Sequence, residues 1–252
     1  LPSSSADPSY LLLSYLSLAF GFSQMTTSKT YTEIQPWGVT VYDSENHVTF
    51  QTKRQKVDLI TNPYFGRVLF LDGVLQSASS DEHIYHEALC KDSTRPFVES
   101  CLIAGGSEGA VLREVLRSKH LKKVSMVDWD EELVLHLREK ESMNVSSFED
   151  KRVSLYFQDI VEYFACCNET FDSIILDLLD IDSEEGLEWT LKVVNASLLH
   201  LTPEIGRIAL NVGREKKYAE EIISRVLCKR GVVETLFVPS FQEPWHLVKL
   251  SV

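Results

Sequence analysis

The apolar run Leu102-Ile103-Ala104 breaks directly into Gly105-Gly106-Ser107-Glu108-Gly109, after which Ala110 to Arg117 take up a helical pattern. A strand that passes through a glycine turn into a helix commits a chain to βαβ construction. The next apolar run ends in Val127-Asp128-Trp129-Asp130, which puts a carboxylate at the second strand end about twenty residues on, the spacing of a nucleoside-binding doubly wound domain. Gly105 and Gly106 let the backbone approach a ligand closely, and Asp128 can accept both ribose hydroxyls. Glu108 is the unusual element, a carboxylate inside the turn that would repel a phosphate and hold a cation. The turn therefore points to a sulfonium nucleoside rather than NAD or ATP. The plain alternative is a tight strand-to-helix turn with no ligand.

Beyond Pro96, apolar strands at Cys101–Ala104, Val124–Val127, Val153–Phe157, Ser173–Leu176 and Arg207–Val212 alternate with amphipathic helices at Ala110–Ser118, Glu131–Glu139, Leu187–Leu199 and Lys217–Lys229. Such alternation implies right-handed crossovers and a mostly parallel sheet. The last two runs, Val232–Val238 and Leu247–Val252, are joined by a loop too short for a crossover helix, so they should pair antiparallel. The fold class expected is α/β, a doubly wound Rossmann-type sheet that resembles the layout of S-adenosylmethionine-dependent methyltransferases. Ahead of it, short strands at Val39–Tyr42, Val48–Gln51, Val57–Thr61 and Arg67–Leu71, with Asp72-Gly73 as a hairpin turn, read as a small antiparallel β domain. Ser79 followed by Glu82 predicts a capping box opening a helix through Leu89. The expected domains are an extension over 1–30, disordered or not native, a β domain over 31–80 and a catalytic domain over 81–252. Within the extension, Tyr10 to Phe22 is apolar but too short to span a membrane and has no positive flank; a targeting segment is the alternative there.

The chain has 252 residues, is 44% hydrophobic and carries a formal net charge of −12. That acidity argues against a nucleic-acid partner and suits a polycationic substrate drawn by the summed field. The five cysteines form no C-x-x-C pair, which fits a reducing, cytoplasmic setting, with Cys166-Cys167 at a packed helix end. There is no zinc spacing, P-loop or serine-nucleophile elbow, and no metal or membrane partner is expected.

In this sheet type ligands sit at the carboxyl ends of the strands. Glu108, Asp128, Asp159, Asp177 and Asp180 all fall at predicted strand ends, where each alone could be a turn former or a cap. The segment Phe65-Gly66-Arg67-Val68-Leu69-Phe70-Leu71-Asp72-Gly73, continuing to Ser77-Ala78 and then Asp81-Glu82-His83-Ile84-Tyr85-His86-Glu87, resembles the signature of the spermidine synthase family, aminopropyltransferases that use decarboxylated S-adenosylmethionine. The family's G-G-G-[D/E]-G motif appears as Gly105 to Gly109, its D-x-x-D-P motif as Asp177 to Asp180 followed by Ile181, and its late aromatic motif as Pro239-Ser240-Phe241 through Trp245.

The resemblance implies that Gln55 and Asp128 hold the ribose, Asp159 the adenine amino group and Glu108 the ammonium of the aminopropyl arm. Tyr85 and Asp177 would orient and deprotonate the attacking amine. His86, Asp180, Phe241 and Trp245 would line the acceptor groove, beside Asp177. It implies no tightly bound cofactor, decarboxylated S-adenosylmethionine as co-substrate, a polyamine acceptor and a homodimer. Glu108, the Gln76-Ser77-Ala78 step, Asp177-Leu178-x-Asp180 and Phe241 are similar to thermospermine synthases, while Ser183-Glu184-Glu185 with Trp189 is similar to spermine synthases; both use spermidine. Putrescine as acceptor, an ordinary methyltransferase and a non-catalytic binding relative are the alternatives. The last is motivated by Ile181, which replaces a proline expected to fix the loop.

Overall fold

The computed structural model describes residues 24–26, 29–36, 38–141 and 144–252. Contacts divide the chain into one unit ending at Ser80 and another running from Asp81 to Val252. Residues 1–23, most of the expected extension, lie outside the described residues, but Gln24–Thr26 already forms a strand, so the β unit starts before residue 31.

In the first unit the strands are β1 (Gln24–Thr26), β2 (Thr30–Gln35), β3 (Gly38–Asp43), β4 (Asn46–Gln51), β5 (Lys56–Asn62), β6 (Gly66–Leu71) and β7 (Val74–Ala78). They form an antiparallel sheet in the order β1-β4-β5-β6-β7 and a separate β2-β3 ribbon. Asp72 and Gly73 both take positive φ, 49° and 83°, as a tight β6-β7 hairpin requires. Tyr31 and Tyr42 pack on Phe70 with ring centroids 4.2 and 5.3 Å apart. The expected capping box does not form. Ser79 instead accepts the Arg67 amide at 2.9 Å and completes the hairpin, and the following helix starts at Glu82 behind Asp81.

The second unit runs α1 (Glu82–Cys90), β8 (Ser100–Gly105), α2 (Ala110–Leu116), β9 (Lys123–Asp128), α3 (Glu131–His136) with a π turn, α4 (Val145–Phe148), β10 (Val153–Phe157), α5 (Ile160–Cys166), β11 (Ser173–Asp177), α6 (Glu184–Leu199), β12 (Arg207–Gly213), α7 (Lys216–Arg225), β13 (Arg230–Phe237) and β14 (Pro244–Ser251). The sheet order is β10-β9-β8-β11-β12-β14-β13, parallel through β12, with β14 antiparallel to both neighbours. The helix expected through Lys229 stops at Arg225, because Val226 turns to extended backbone and the Lys229 amide already bonds Ser251 O at 2.9 Å. The short helix α4 was not anticipated, whereas α5 is the helix whose end was expected at Cys166-Cys167. Cys166 closes α5 but is exposed, so only Cys167 of the pair joins the packing.

Strand alternation feeds two cores, one on each face of the sheet. Leu102, Ala104, Ile174, Leu176, Ile208 and Leu210 meet α5, α6 and α7, while Cys101, Ile103, Ile175 and Ala209 meet α1 and α2. The chain leaves β8 toward β9 on one side and leaves β11 toward β12 on the other, so the strand order switches between β8 and β11 and opens a crevice at their carboxyl ends. No helix among the described residues is long and apolar enough to cross a membrane.

At this switch point Gly105 pairs with Asp177. Gly105 has φ 82°, and a Cβ there would lie 2.0 Å from the Asp177 carbonyl oxygen. Gly105→Ala should therefore destabilise the protein by at least about 2 kcal/mol, adding left-handed backbone strain to a backbone clash. Urea unfolding would check this; a change within about 0.5 kcal/mol, the range of ordinary surface substitutions, would contradict it.

Candidate active site

Helix α1 places the first residues of the site. It buries Glu82, Tyr85, His86, Leu89 and Cys90, a stripe at helical spacing facing the sheet. Both of its ends are tied down. Asp81 accepts the Ser240 amide at 2.7 Å and its hydroxyl at 2.9 Å, and Lys249 Nζ donates to the last carbonyls, Ala88 O at 2.6 Å and Leu89 O at 2.8 Å. The Asp81 contact gives the two distant motifs around Asp81 and Ser240 one structural reason.

From this helix the Tyr85 hydroxyl donates to Asp177 Oδ1 at 2.6 Å. Desolvation raises the Asp177 pKa above the usual carboxylate range. The positive field of His86 and the Tyr85 hydrogen bond pull it back, and the charge of Glu108 adds to the rise. Burial, reinforced by Asp177, holds the Tyr85 phenol protonated. Tyr85 is therefore a fixed donor to Asp177.

One turn of α1 also sets a row of alternating charges. His86 Nδ1 bonds Glu82 Oε2 at 2.5 Å, and its Nε2 lies 3.2 Å from Glu108 Oε1. Burial opposes a charge on this imidazole, but the hydrogen bonds to Glu108 and Glu82 outweigh it and push the pKa up to about 10. His86 is only 3% exposed in its side chain, and both ring nitrogens face carboxylates, so it buttresses Glu108 where the resemblance put it in the acceptor groove. Arg113 completes the row, its NH1 and NH2 donating to Glu82 Oε1 and Oε2 at 2.8 and 3.0 Å. Burial alone would raise Glu82; the bonds from His86 and Arg113 instead hold its carboxyl down at about 2.

Asp180 is held from the neighbouring strand. Asn211 Nδ2 donates to Asp180 Oδ1 at 2.8 Å and to Leu178 O at 3.0 Å, while Trp245 Nε1 donates to Asn211 Oδ1 at 2.9 Å. Trp245 thus orients the amide that orients Asp180. Phe241, in a 3-10 turn, packs on Trp245 with centroids 4.4 Å apart and edge-on to Tyr85 at 6.1 Å. Ile181, where proline is the family's residue, is 2% exposed in the core under α6, and its amide donates to Val212 O at 3.0 Å. The loop is pinned by a hydrogen bond and apolar burial that a proline could not make in the same way.

Asp128 ends β9 and accepts the Asp130 amide at 2.9 Å; burial pushes its carboxyl up to about 6. Gly105 and Gly106 form the turn after β8, both at positive φ. Asp159 caps α5, its Oδ1 accepting the Val161 amide at 2.7 Å. Gln55 lies in the first unit, in the β4-β5 turn, where its amide bonds Thr52 Oγ1 at 3.0 Å. Glu82, Arg113, Asn144 and Asn211 were missed as site residues. Glu82 lies inside the Asp81–Glu87 motif; for Arg113, Asn144 and Asn211 nothing in the local sequence marks the long-range partner.

The spermine/spermidine synthase domain pattern matches residues 78–202. A polyamine aminopropyltransferase of Sulfolobus acidocaldarius is 36% identical over 210 residues, covering 78% of this chain and 68% of that protein. The chain belongs to the spermine/spermidine synthase family. Another family member, the polyamine aminopropyltransferase of Saccharolobus solfataricus, is 42% identical over 135 residues, a stretch that spans 44% of its length and 52% of this chain. The fold is also that of two solved spermidine synthases. One, in complex with the transition state analogue AdoDATO, has a TM-score of 0.81 at 22% identity, covering 90% of this chain and 82% of that one. The other, from Thermotoga maritima, has a TM-score of 0.77 at 23% identity, covering 90% and 80%.

Installing the family's proline should harm this chain. Ile181→Pro deletes the bond to Val212 O and a buried branched side chain, so stability should fall by roughly 2 kcal/mol or more. Denaturant unfolding reads this directly, and a variant as stable as the parent would show that the loop is held by something else.

Proposed function

We propose that this protein transfers the aminopropyl group of decarboxylated S-adenosylmethionine to a polyamine, with spermidine as the acceptor. The observation that carries the reading is Asp177, raised by burial and fixed by Tyr85 at the switch-point crevice, in a site where Glu108 offers a second carboxylate. Asp128 would take the ribose hydroxyls, Asp159 the adenine amino group, and Glu108 the donor's terminal ammonium.

The acceptor amine arrives as an ammonium, since free alkylamines resemble Lys with a pKa of roughly 10. Asp177 takes one proton from it, and a carboxylate raised by burial is a better base for that transfer than an ordinary one. The freed nitrogen lone pair attacks the aminopropyl carbon in line with sulfur. The C–N bond forms as the C–S bond breaks, and the bonding pair leaves on sulfur as neutral methylthioadenosine, so no general acid is required. Alignment of the two amines with the sulfonium supplies much of the rate.

Phe241 has no hydroxyl to close the groove around a short diamine, which favours spermidine over putrescine and makes thermospermine or spermine the product. An intact S-adenosylmethionine carries a carboxylate that Glu108 would repel, which weighs against methyl transfer. The pinned Ile181 loop removes the motive for a non-catalytic relative. The assembly the resemblance implies is a homodimer, and five free thiols suit a reducing compartment such as the cytoplasm.

An end-point assay with decarboxylated S-adenosylmethionine and either polyamine, resolving products by chromatography, tests the reading. Methylthioadenosine should appear with spermidine and not with putrescine; turnover with putrescine alone would reverse the acceptor, and none with either would refute transfer. Asp177→Asn should cut turnover at least about 100-fold by removing the proton acceptor. Undiminished turnover in that variant would rule out the base. Asp128 is neutral below its raised pKa of about 6 and loses the acceptor character that the ribose grip needs. Methylthioadenosine affinity should accordingly fall about tenfold per pH unit below that point and level off above it. A flat calorimetric profile between pH 5 and 8 would detach Asp128 from the ribose.

A further inference from the structure

Arg113, in the middle of α2, has no role in the proposed chemistry, yet two chains of hydrogen bonds lead from it to Glu108. One runs through side chains: Arg113 to both oxygens of Glu82 at 2.8 and 3.0 Å, Glu82 to His86 Nδ1 at 2.5 Å, and His86 Nε2 to Glu108 Oε1 at 3.2 Å. The other ends on the main chain: Arg113 NH1 donates to Asn144 Oδ1 at 3.1 Å, and Asn144 Nδ2 donates to Glu108 O at 3.1 Å. The same guanidinium therefore governs both the carboxylate and the backbone carbonyl of Glu108. We propose that Arg113 is a positioning residue that acts through Glu82–His86 and through Asn144 to hold Glu108 in the donor-tail site.

The arrangement has the marks of a built support. The Arg113–Glu82 pair is bidentate, the geometry in which an arginine fixes orientation as well as charge. Glu82 and His86 are 8% and 3% exposed in their side chains, so neither can exchange its partner for water without cost. Glu108 remains 25% exposed, the one acid of the row open to a ligand. The turn that carries Glu108 leaves no slack either. Gly109 beside it has φ 78°, and the Phe148 ring of α4 occupies the space a Cβ there would need. A long acidic side chain on a glycine turn would otherwise sample several rotamers, and freezing them before the ligand arrives removes part of the entropy cost of binding.

Arg113 also bonds Glu114 through Nε at 2.8 Å, a local pair that its other contacts do not require. A purely structural arginine would support every ligand of the crevice alike. A positioning residue for Glu108 affects only a nucleoside with a cationic tail, and this separates the two roles.

The inference rests on Glu108 as the donor-tail acid, so its test compares two nucleosides that differ in that tail. Calorimetry would give the dissociation constants of decarboxylated S-adenosylmethionine and of methylthioadenosine for the full chain, for Arg113→Gln and for Arg113→Lys. Arg113→Gln should weaken the tailed nucleoside at least tenfold and leave methylthioadenosine within twofold. Arg113→Lys, which keeps the charge but cannot reach both Glu82 and Asn144, should lie between and serves as the informative variant if the glutamine chain does not fold. Equal losses for both nucleosides, or no loss for either, would overturn the positioning role while leaving the function standing. A wild-type chain that binds the two nucleosides equally would overturn the assignment of Glu108 itself, and the function with it.

Discussion

Everything in the crevice depends on how closely β8 and β11 approach at their carboxyl ends. Gly105 and Asp177 are paired across that gap, with no room for a Cβ between the first and the carbonyl of the second. Because the strands are this close, the turn after β8 and the carboxylate ending β11 face one site. Because the strand order switches there, no crossover covers it. The glycine is thus a packing requirement first, and the ligand crevice is its consequence.

A second constraint follows from collecting acids in one place. Carboxylates brought together out of water repel one another and lose hydration, and each needs a partner or must take up a proton. The protein uses a different device for each. Glu82 and Glu108 flank the His86 cation, with Arg113 behind. Asp180 has the neutral Asn211 amide, itself held by Trp245. Asp177 has the Tyr85 hydroxyl and, without direct contact, the field of the His86 cation. Burial still raises Asp177, Asp180 and Asp128, the last two to about 6, while Glu82, with two cationic partners, is held down.

The sheet was largely legible because its signals are local. Alternating apolar runs, the glycine turn after β8 and the short loop before β14 each follow from periodicity and turn chemistry over a few residues. Boundaries failed where a tertiary partner decided them. Ser79 reads as a cap, yet its hydroxyl has a hairpin amide to satisfy, and the helix ending at Arg225 yields to strand pairing at Lys229. The carboxylates at strand ends were visible as residues, but not their supports. Arg113 reaches Glu82 across 31 positions and Trp245 reaches Asn211 across 34, distances over which sequence pattern carries no pairing information. His86 illustrates the limit best: its motif is conspicuous, but only its two carboxylate neighbours reveal that it supports Glu108. Ile181 makes the converse point. As a letter it is a departure from the family, and in the fold it is a buried anchor.

The central claim is that the crevice is charged for a donor with a cationic tail and no carboxylate. The most direct measurement is calorimetric binding of decarboxylated S-adenosylmethionine against intact S-adenosylmethionine to the same wild-type chain. The two differ only in the carboxylate beside the ammonium that would meet Glu108. The account predicts that the decarboxylated form binds at least about tenfold more tightly, a difference of about 1.4 kcal/mol. Equal affinity, or a preference for the intact form, would contradict it.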